Sequence, residues 1–257
     1  MREAMKLRVL GCAGAEYPGS NLTAFLIDGK MLLDAGTIGL GLNESEQWNI
    51  KNILLTHSHL DHIKGIPFLA DNIIMKQRQH SITLLGTRET LSSLSENLLN
   101  DTIWPDFTKI SAAIDPVVRM KVITPARSFN LDGYKVRACR VNHTVPAVGY
   151  VITDKGGSRL VYTGDTGPTE EIWSHAAGAN TLIVEVSFPN SVAELALKTG
   201  HLTAGLLRTE LEKMKVLPKR ILITHLKPQY RRIISREISK LGIASVEIIQ
   251  DKKVYRI

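Results

Sequence analysis

Residues 57 to 62 read His-Ser-His-Leu-Asp-His and follow directly on the apolar run Asn52-Ile53-Leu54-Leu55-Thr56. Four side chains able to bind a metal therefore fall within six residues, at the mouth of an expected buried strand. Neutral imidazole nitrogen and carboxylate oxygen suit zinc and its borderline neighbours. His57 and His59, two apart, share a face on an extended stretch, whereas Asp61 and His62 turn elsewhere once the chain bends toward a helix. That arrangement suits two adjacent ions better than one. A solvated histidine-rich loop is the competing reading. Against it, a polar group buried at a strand end is costly unless it is paired or coordinated.

The string resembles the signature of the metallo-β-lactamase superfamily of metal-dependent hydrolases. The resemblance implies an α/β (α+β) chain folded as a four-layer αββα sandwich, with a further His, then an Asp, then a final His, each after a strand. All three are present. His143 follows the run from Lys135 to Val141, Asp165 stands in Tyr162-Thr163-Gly164-Asp165-Thr166-Gly167, and His225 closes Arg220-Ile221-Leu222-Ile223-Thr224. By the same resemblance, His57, His59 and His143 hold one ion, Asp61, His62 and His225 hold the second, and Asp165 bridges them. Two divalent ions about 3.5–4 Å apart can share a hydroxide, because they lower the pKa of bound water toward about 7. Asp61 has a second candidate role in orienting that hydroxide. Zinc is the first expectation for these ligands, and manganese or iron also fit them.

Three further stretches narrow the class: Gly164-Asp165-Thr166-Gly167-Pro168, Val184-Glu185-Val186-Ser187-Phe188-Pro189-Asn190, and Gly200-His201-Leu202-Thr203. With Asp61-His62-Ile63 and Leu33-Asp34-Ala35-Gly36-Thr37, they resemble the class II cyclic-nucleotide phosphodiesterases, in order from about Gly11 to Leu211. Ala204, where that family favours Pro, and Lys64, in place of a small residue, are departures. The resemblance implies that His201 joins Asp61 as a catalytic group, touching the phosphate or protonating the departing 3′ oxygen. Glu185 would fix the tautomer of His201, since a carboxylate on one ring nitrogen orients the other. The helix from Thr203 would turn its N-terminal amides toward the anion. Candidate substrate contacts are His201, Phe188 and Asn190, with Trp104 and Phe107 as further pocket walls.

Other residues take plainer roles. Asp34 supports a ligand loop through hydrogen bonds, and Asn21 and Thr23 hold the opening loop. Cys12 is a small packed core residue, His80 is exposed, and His175 lies on a helix surface.

The elements that must position these groups are legible in outline. Strand signals occur at 7–10, 23–27, 31–33 and 82–85, with Asp28-Gly29-Lys30 as a hairpin turn. A helix is expected at 88–99, and 101–116 reads as a structured connection. Further strands are expected near 134–141, 148–153, 159–163, 181–186, 220–224 and 246–249, with helices near 169–177, 203–214 and 231–241. Strands that cluster and then alternate with helices suit sheets covered by outer helices.

At 257 residues and 44% hydrophobic, the chain can bury a sizeable core. No Pro/Gly/Ser-rich linker divides it and the ligands span His57 to His225, so a single metallo-hydrolase domain over 1–257 is expected. Two cysteines, Cys12 and Cys139, make no disulfide framework. No apolar run reaches the length of a membrane span, and the first residues lack a signal-peptide core. A cytoplasmic location is the expectation, unless a leader has been removed. The net charge of +7 favours anionic substrates. The basic residues are dispersed except for Lys227, Arg231, Arg232, Arg236 and Lys240, the last four of which make a solvated helix face. Oligomeric state stays open, with a homodimer as one candidate.

These readings converge on hydrolysis of a small 3′,5′-cyclic nucleotide, cyclic AMP or cyclic GMP, to the 5′-monophosphate by a pair of divalent ions. A ribonuclease Z-like RNA phosphodiesterase is the alternative. That family usually inserts a tRNA-gripping arm between the positions of His143 and Asp165, where this chain has only two strand-like runs. An aromatic content of 5% also supplies a base-stacking platform poorly, so nucleic acid is not the expected partner. β-Lactamase or thioesterase chemistry on the same ions fits the Glu185 and His201 pair less well. A non-catalytic nucleotide-binding member would keep the metals without the turnover.

Overall fold

The computed structural model describes residues 4–76, 80–112 and 115–257. Met1–Glu3 of the N-terminal stretch, Gln77–Gln79 beside His80, and residues 113 and 114 of the 101–116 connection lie outside the described residues.

Two seven-stranded sheets carry the fold. In the first, the spatial order is Val254–Arg256, Lys6–Gly11, Ala24–Ile27, Met31–Leu33, Asn52–Leu54, Ile82–Gly86 and Val118–Val122. In the second it is Val246–Ile248, Ile221–Thr224, Thr181–Glu185, Arg159–Tyr162, Ala147–Thr153, Tyr134–Val141 and Ser128–Leu131. The Asp28-Gly29-Lys30 turn joins an antiparallel pair as expected, with Ile27 opposite Met31. Asp28 and Gly29 both take positive φ there, which suits the right-handed twist of the flanking strands.

Three apolar cores separate four layers. Phe25, Leu33, Leu54, Tyr150, Ile183 and Leu222 pack between the two sheets. Helices Gly65–Met75 and Arg88–Asn97 cover the outer face of the first sheet with Ile66, Leu69, Ile73, Leu91 and Leu94. Helices Glu171–Ala176, Ala204–Glu212 and Arg231–Ser239 cover the second with Trp173, Leu207, Leu211, Ile234 and Ile238. This is the αββα sandwich expected from the sequence.

The strands Asn52–Leu54, Thr181–Glu185 and Ile221–Thr224 are buried at every position, which is why their sequences are apolar except at their ends. Each lies in a parallel ladder. Ligand-type side chains follow directly at their C-terminal ends, the usual place for a site on parallel strands. Two backbone bonds lock the sheets together at this end: Val148 N–H donates to the Thr56 carbonyl at 3.0 Å, and His225 N–H to that of Cys12 at 2.8 Å.

The connection after the helix Arg88–Asn97 is a core cover. Phe107 is buried in the outer core of the first sheet, and Trp104 packs there edge-on to Phe68 with ring centroids 5.2 Å apart. Neither is free to wall a substrate pocket, because the apolar face beneath them takes their rings. Among the described residues, no helix is long and apolar enough to cross a membrane.

Candidate metal centre and active site

His57, His59 and His143 bring ligand atoms within 4.8 Å of one another, and Asp61, His62, Asp165 and His225 do the same. The two sets adjoin. Asp165 Oδ2 lies 3.2 Å from Nε2 of both His62 and His225, and 3.8 Å from Nε2 of His57. It therefore faces both sets from the end of Arg159–Tyr162. His225 Nε2 is 3.1 Å from Asp61 Oδ2, and His143 Nε2 is 3.1 Å from His59 Nδ1. The seven side chains named from the sequence thus meet in one place.

The far nitrogens of four imidazoles are held by the protein. His62 Nδ1 meets Asp34 Oδ2 at 2.8 Å, and His143 Nδ1 meets the Gly200 carbonyl at 2.8 Å. His57 Nδ1 meets Thr56 Oγ1 at 2.9 Å, and His225 Nδ1 meets Ser187 Oγ at 2.9 Å. Such contacts fix the ring and leave Nε2 pointing inward. His59 differs, with Nδ1 as its inward atom.

Asp34 does what the sequence suggests. It is fully buried with φ +55°, accepts from Thr56 N–H at 2.8 Å and from Tyr162 O–H at 2.8 Å, and so anchors both sheets to His62. His225 also takes a left-handed φ of +61°, a conformation that a non-glycine residue holds only where its surroundings enforce it.

The charges of this cluster suit a bound cation. Asp34, Asp61, Asp165 and Glu185 are all paired with histidines and, among the described residues, with no lysine or arginine. His57 Nε2 and Asp165 Oδ1 are buried without a hydrogen-bond partner. Burial pushes His57, His59 and His143 toward the neutral form that ligates metals. Burial also disfavours a charged His62, but Asp165 and Asp34 outweigh it and hold that ring above its ordinary pKa. A divalent cation satisfies the same carboxylates. Seven nitrogen and oxygen donors, two of them orphaned, fit a pair of such ions.

Beside this cluster, His201 Nδ1 is 2.7 Å from Glu185 Oε1. His201, His143 and Asp165 also place ligand-type atoms within 4.8 Å of one another. Ser187, whose role was not read from the sequence, ties the two groups: its hydroxyl donates to Glu185 Oε2 at 2.7 Å and lies 2.9 Å from His225 Nδ1. Its place between Glu185 and Phe188 in the quoted motif was the available signal.

The remaining candidates divide. The Phe188 ring lies 5.6 Å from His201 and 6.3 Å from Tyr230. Asn190 is exposed, and its Oδ1 accepts from Gly205 N–H at 2.7 Å. Leu206 N–H is capped by Thr203 Oγ1 at 3.2 Å. Two of the N-terminal amides of Ala204–Glu212 expected to face a phosphate, those of Gly205 and Leu206, are therefore taken by side chains of the protein itself. Ala204 is buried at the first helical position, where Pro is also accommodated. Lys64 pairs with Glu16.

Asn21 and Thr23 hold the opening loop through the carbonyls of Leu10 and Ala13, and Cys12 is buried against Asp251. His80 is half-buried rather than exposed, with Nε2 2.6 Å from the Ile50 carbonyl. His175 is half-buried too, facing Cys139 across a helix–sheet contact that sequence spacing could not reveal.

A family model described as the beta-lactamase superfamily domain matches residues 34–226, which include every ligand-type residue above. The chain belongs to this superfamily. Within it, the chain is 26% identical to a Yersinia pestis protein named "Probable 3′,5′-cyclic-nucleotide phosphodiesterase", over 95% of this chain and 84% of that one. It is 24% identical to an Archaeoglobus fulgidus ribonuclease Z, over 72% of each. The solved metallo-beta-lactamase fold protein YhfI from Bacillus subtilis superposes with a TM-score of 0.79, at 18% identity and 99% of both chains. The architecture is the metallo-β-lactamase fold of the superfamily.

Proposed function

We propose that this member of the superfamily is a binuclear metal-dependent phosphodiesterase that hydrolyses 3′,5′-cyclic AMP or cyclic GMP to the 5′-monophosphate. The observation that carries the reading is the Glu185–His201 pair, 2.7 Å apart and set beside Asp165 and His143. The residues His57, His59 and His143 would hold one ion and Asp61, His62 and His225 the other, with Asp165 between them. Bound there, zinc or another divalent pair supplies the Lewis acidity that activates water and offsets charge on phosphorus.

The chain's own groups do the rest. Water attacks phosphorus and gives up a proton to solvent, the bond from phosphorus to the 3′ oxygen breaks, and His201 delivers a proton to that oxygen. Glu185 positions His201 by accepting at Nδ1, which leaves Nε2 for the substrate. Asp61, partly open to solvent at 24% side-chain exposure, is placed to orient the attacking water. Phe188, with its ring 5.6 Å from that of His201, is the candidate wall against the substrate. We take residues 1–257 as one domain, a reading supported by the final strand Val254–Arg256, which pairs with Lys6–Gly11.

An RNA substrate is the second reading, favoured by the ribonuclease Z relative. Against it, residues 144 to 164 hold only the strands Ala147–Thr153 and Arg159–Tyr162 and their turns, with no arm to grip tRNA. The test is hydrolysis of cyclic AMP, cyclic GMP, bis(p-nitrophenyl) phosphate and a tRNA precursor by metal-loaded protein, each with a chelator control. Chelator-sensitive release of 5′-monophosphate supports the proposal. Cleavage of the precursor with inert cyclic nucleotides overturns it in favour of RNA. Stoichiometric metal with no hydrolysis leaves a nucleotide-binding protein.

A further inference from the structure

A second group of ligand-type side chains meets on the outer face of the second sheet, away from the centre described above. Strand Tyr134–Val141 alternates: Val136 and Ala138 enter the core between the sheets, and Cys139 enters the outer core. Helix Glu171–Ala176 packs on that outer face. Its Ile172, Trp173 and Ala176 are buried in the core, which leaves Glu171 and His175, four apart, on one side of the helix. Cys139 Sγ, a Glu171 carboxylate oxygen and a His175 ring nitrogen all lie within 4.8 Å of one another. The thiol is buried, and the other two are half-buried around it.

We infer that Cys139, Glu171 and His175 form a separate metal site for one borderline divalent ion of the zinc or cobalt type. Thiolate, imidazole and carboxylate together are a donor set that zinc accepts, at about 2.0–2.3 Å per bond. Closing on an ion needs a contraction of the present spacing, which half-buried side chains on one helix turn can supply. Three protein ligands leave one position for water, which the open side of the site provides.

The charges balance as well. Thiolate and carboxylate cancel a divalent ion. Burial, and then Arg137, keep His175 below its ordinary pKa, so its ring is neutral and free to ligate. Arg137 is the competing cation, with Nη2 3.5 Å from Glu171 Oε1, and the ion must draw Glu171 away from it. Burial and then Glu171 push the Cys139 thiol up to about 12, so the ion-free site holds S–H. On binding, the S–H bond breaks, a bond from sulfur to metal forms, and the proton passes to water. Affinity should therefore strengthen by about tenfold per pH unit through the neutral range. An ion here would pin the helix to the strand that runs directly into Asn142 and His143.

Cobalt titration of the full chain under reducing conditions tests this without relying on activity. The first centre offers only nitrogen and oxygen donors, so a near-ultraviolet sulfur-to-cobalt charge-transfer band reports a thiolate ligand. Wild type and Cys12→Ser should develop the band to one equivalent, and Cys139→Ser should lose it. His175→Gln, at a half-buried position that spares the core, should weaken cobalt binding by at least about tenfold. All variants should keep the wild-type hydrolytic activity. Absence of a thiolate band in wild type overturns the inference, whatever the variants do. A band that survives Cys139→Ser and disappears in Cys12→Ser overturns it too.

Discussion

His143 Nδ1 sits 2.8 Å from the carbonyl oxygen of Gly200. A carbonyl can only accept, so Nδ1 carries the proton and Nε2 presents a lone pair toward His59. Gly200 directly precedes His201, so one loop orients a metal-type ligand and delivers the proposed acid.

That loop tolerates no side chain at Gly200. Its φ is +67°, and an added Cβ would lie 2.9 Å from Cα and Nδ1 of His143. Left-handed backbone costs a non-glycine residue about 1–2 kcal/mol, and the overlap adds to it. Gly200→Ala should lower stability by about 2 kcal/mol or more and depress metal affinity and turnover together. Denaturant unfolding with a metal-binding titration checks this; wild-type stability would refute the close packing.

Asp34 acts at one remove from the metals. Its carboxylate holds His62 Nδ1, Thr56 and Tyr162 at once. Asp34→Asn should weaken metal binding by about 10–100-fold, as losses of such supporting contacts do. Competition against a chromophoric chelator measures the change.

His201 and Glu185 are separable by pH. Burial disfavours the charged form of His201, but the Glu185 carboxylate outweighs it and raises the ring above its ordinary 6.5. The acid form therefore persists into higher pH and is lost as pH rises through the raised value. The stabilisation from the pair follows the same course, complete below about 6.5 and fading above it. His201→Ala should keep its metal content and lose about 10²–10⁴-fold in turnover. Glu185→Gln should move the alkaline limb of the rate profile to lower pH. An unmoved limb would mean that Glu185 does not set the ionisation of His201.

Removing metal should destabilise the fold. Without ions, Asp61 and Asp165 face only histidines and each other across a buried cluster. An ion at 100 times its Kd stabilises by about 2.7 kcal/mol per site. Chelation should therefore lower the unfolding midpoint, and added zinc should restore it in a concentration-dependent way. A midpoint indifferent to both would count against metal sites in the native protein.

Ile221–Thr224 was legible because it is buried on both faces and so is almost wholly apolar, and Tyr134–Val141 because its burial alternates. Other elements carry no such mark. Val118–Val122 buries only its first residue, and Ser128–Leu131 is an edge strand with half-exposed apolar positions. Helix Gly65–Met75 opens on Gly-Ile-Pro and has no side-chain cap, so the usual start signal is missing. Val254–Arg256 is a strand only because Lys6–Gly11, at the other end of the chain, pairs with it.

Residue type and spacing marked His57, His59, Asp61 and His62 in one string, and the resemblance to a known family picked out His143, Asp165, His201 and His225. Imidazole and carboxylate chemistry is local to each side chain, so it can be read in one dimension. Which ring nitrogen faces the centre could not be. That choice is made by Asp34, Gly200, Thr56 and Ser187, three of them distant in sequence from the ring they hold. The same holds for Cys139, Glu171 and His175, which share no motif and meet only because a helix lies across a strand. Hydrogen-bond direction and ligand convergence depend on distances of a few ångströms, and only the packing of the two sheets and their helices sets those.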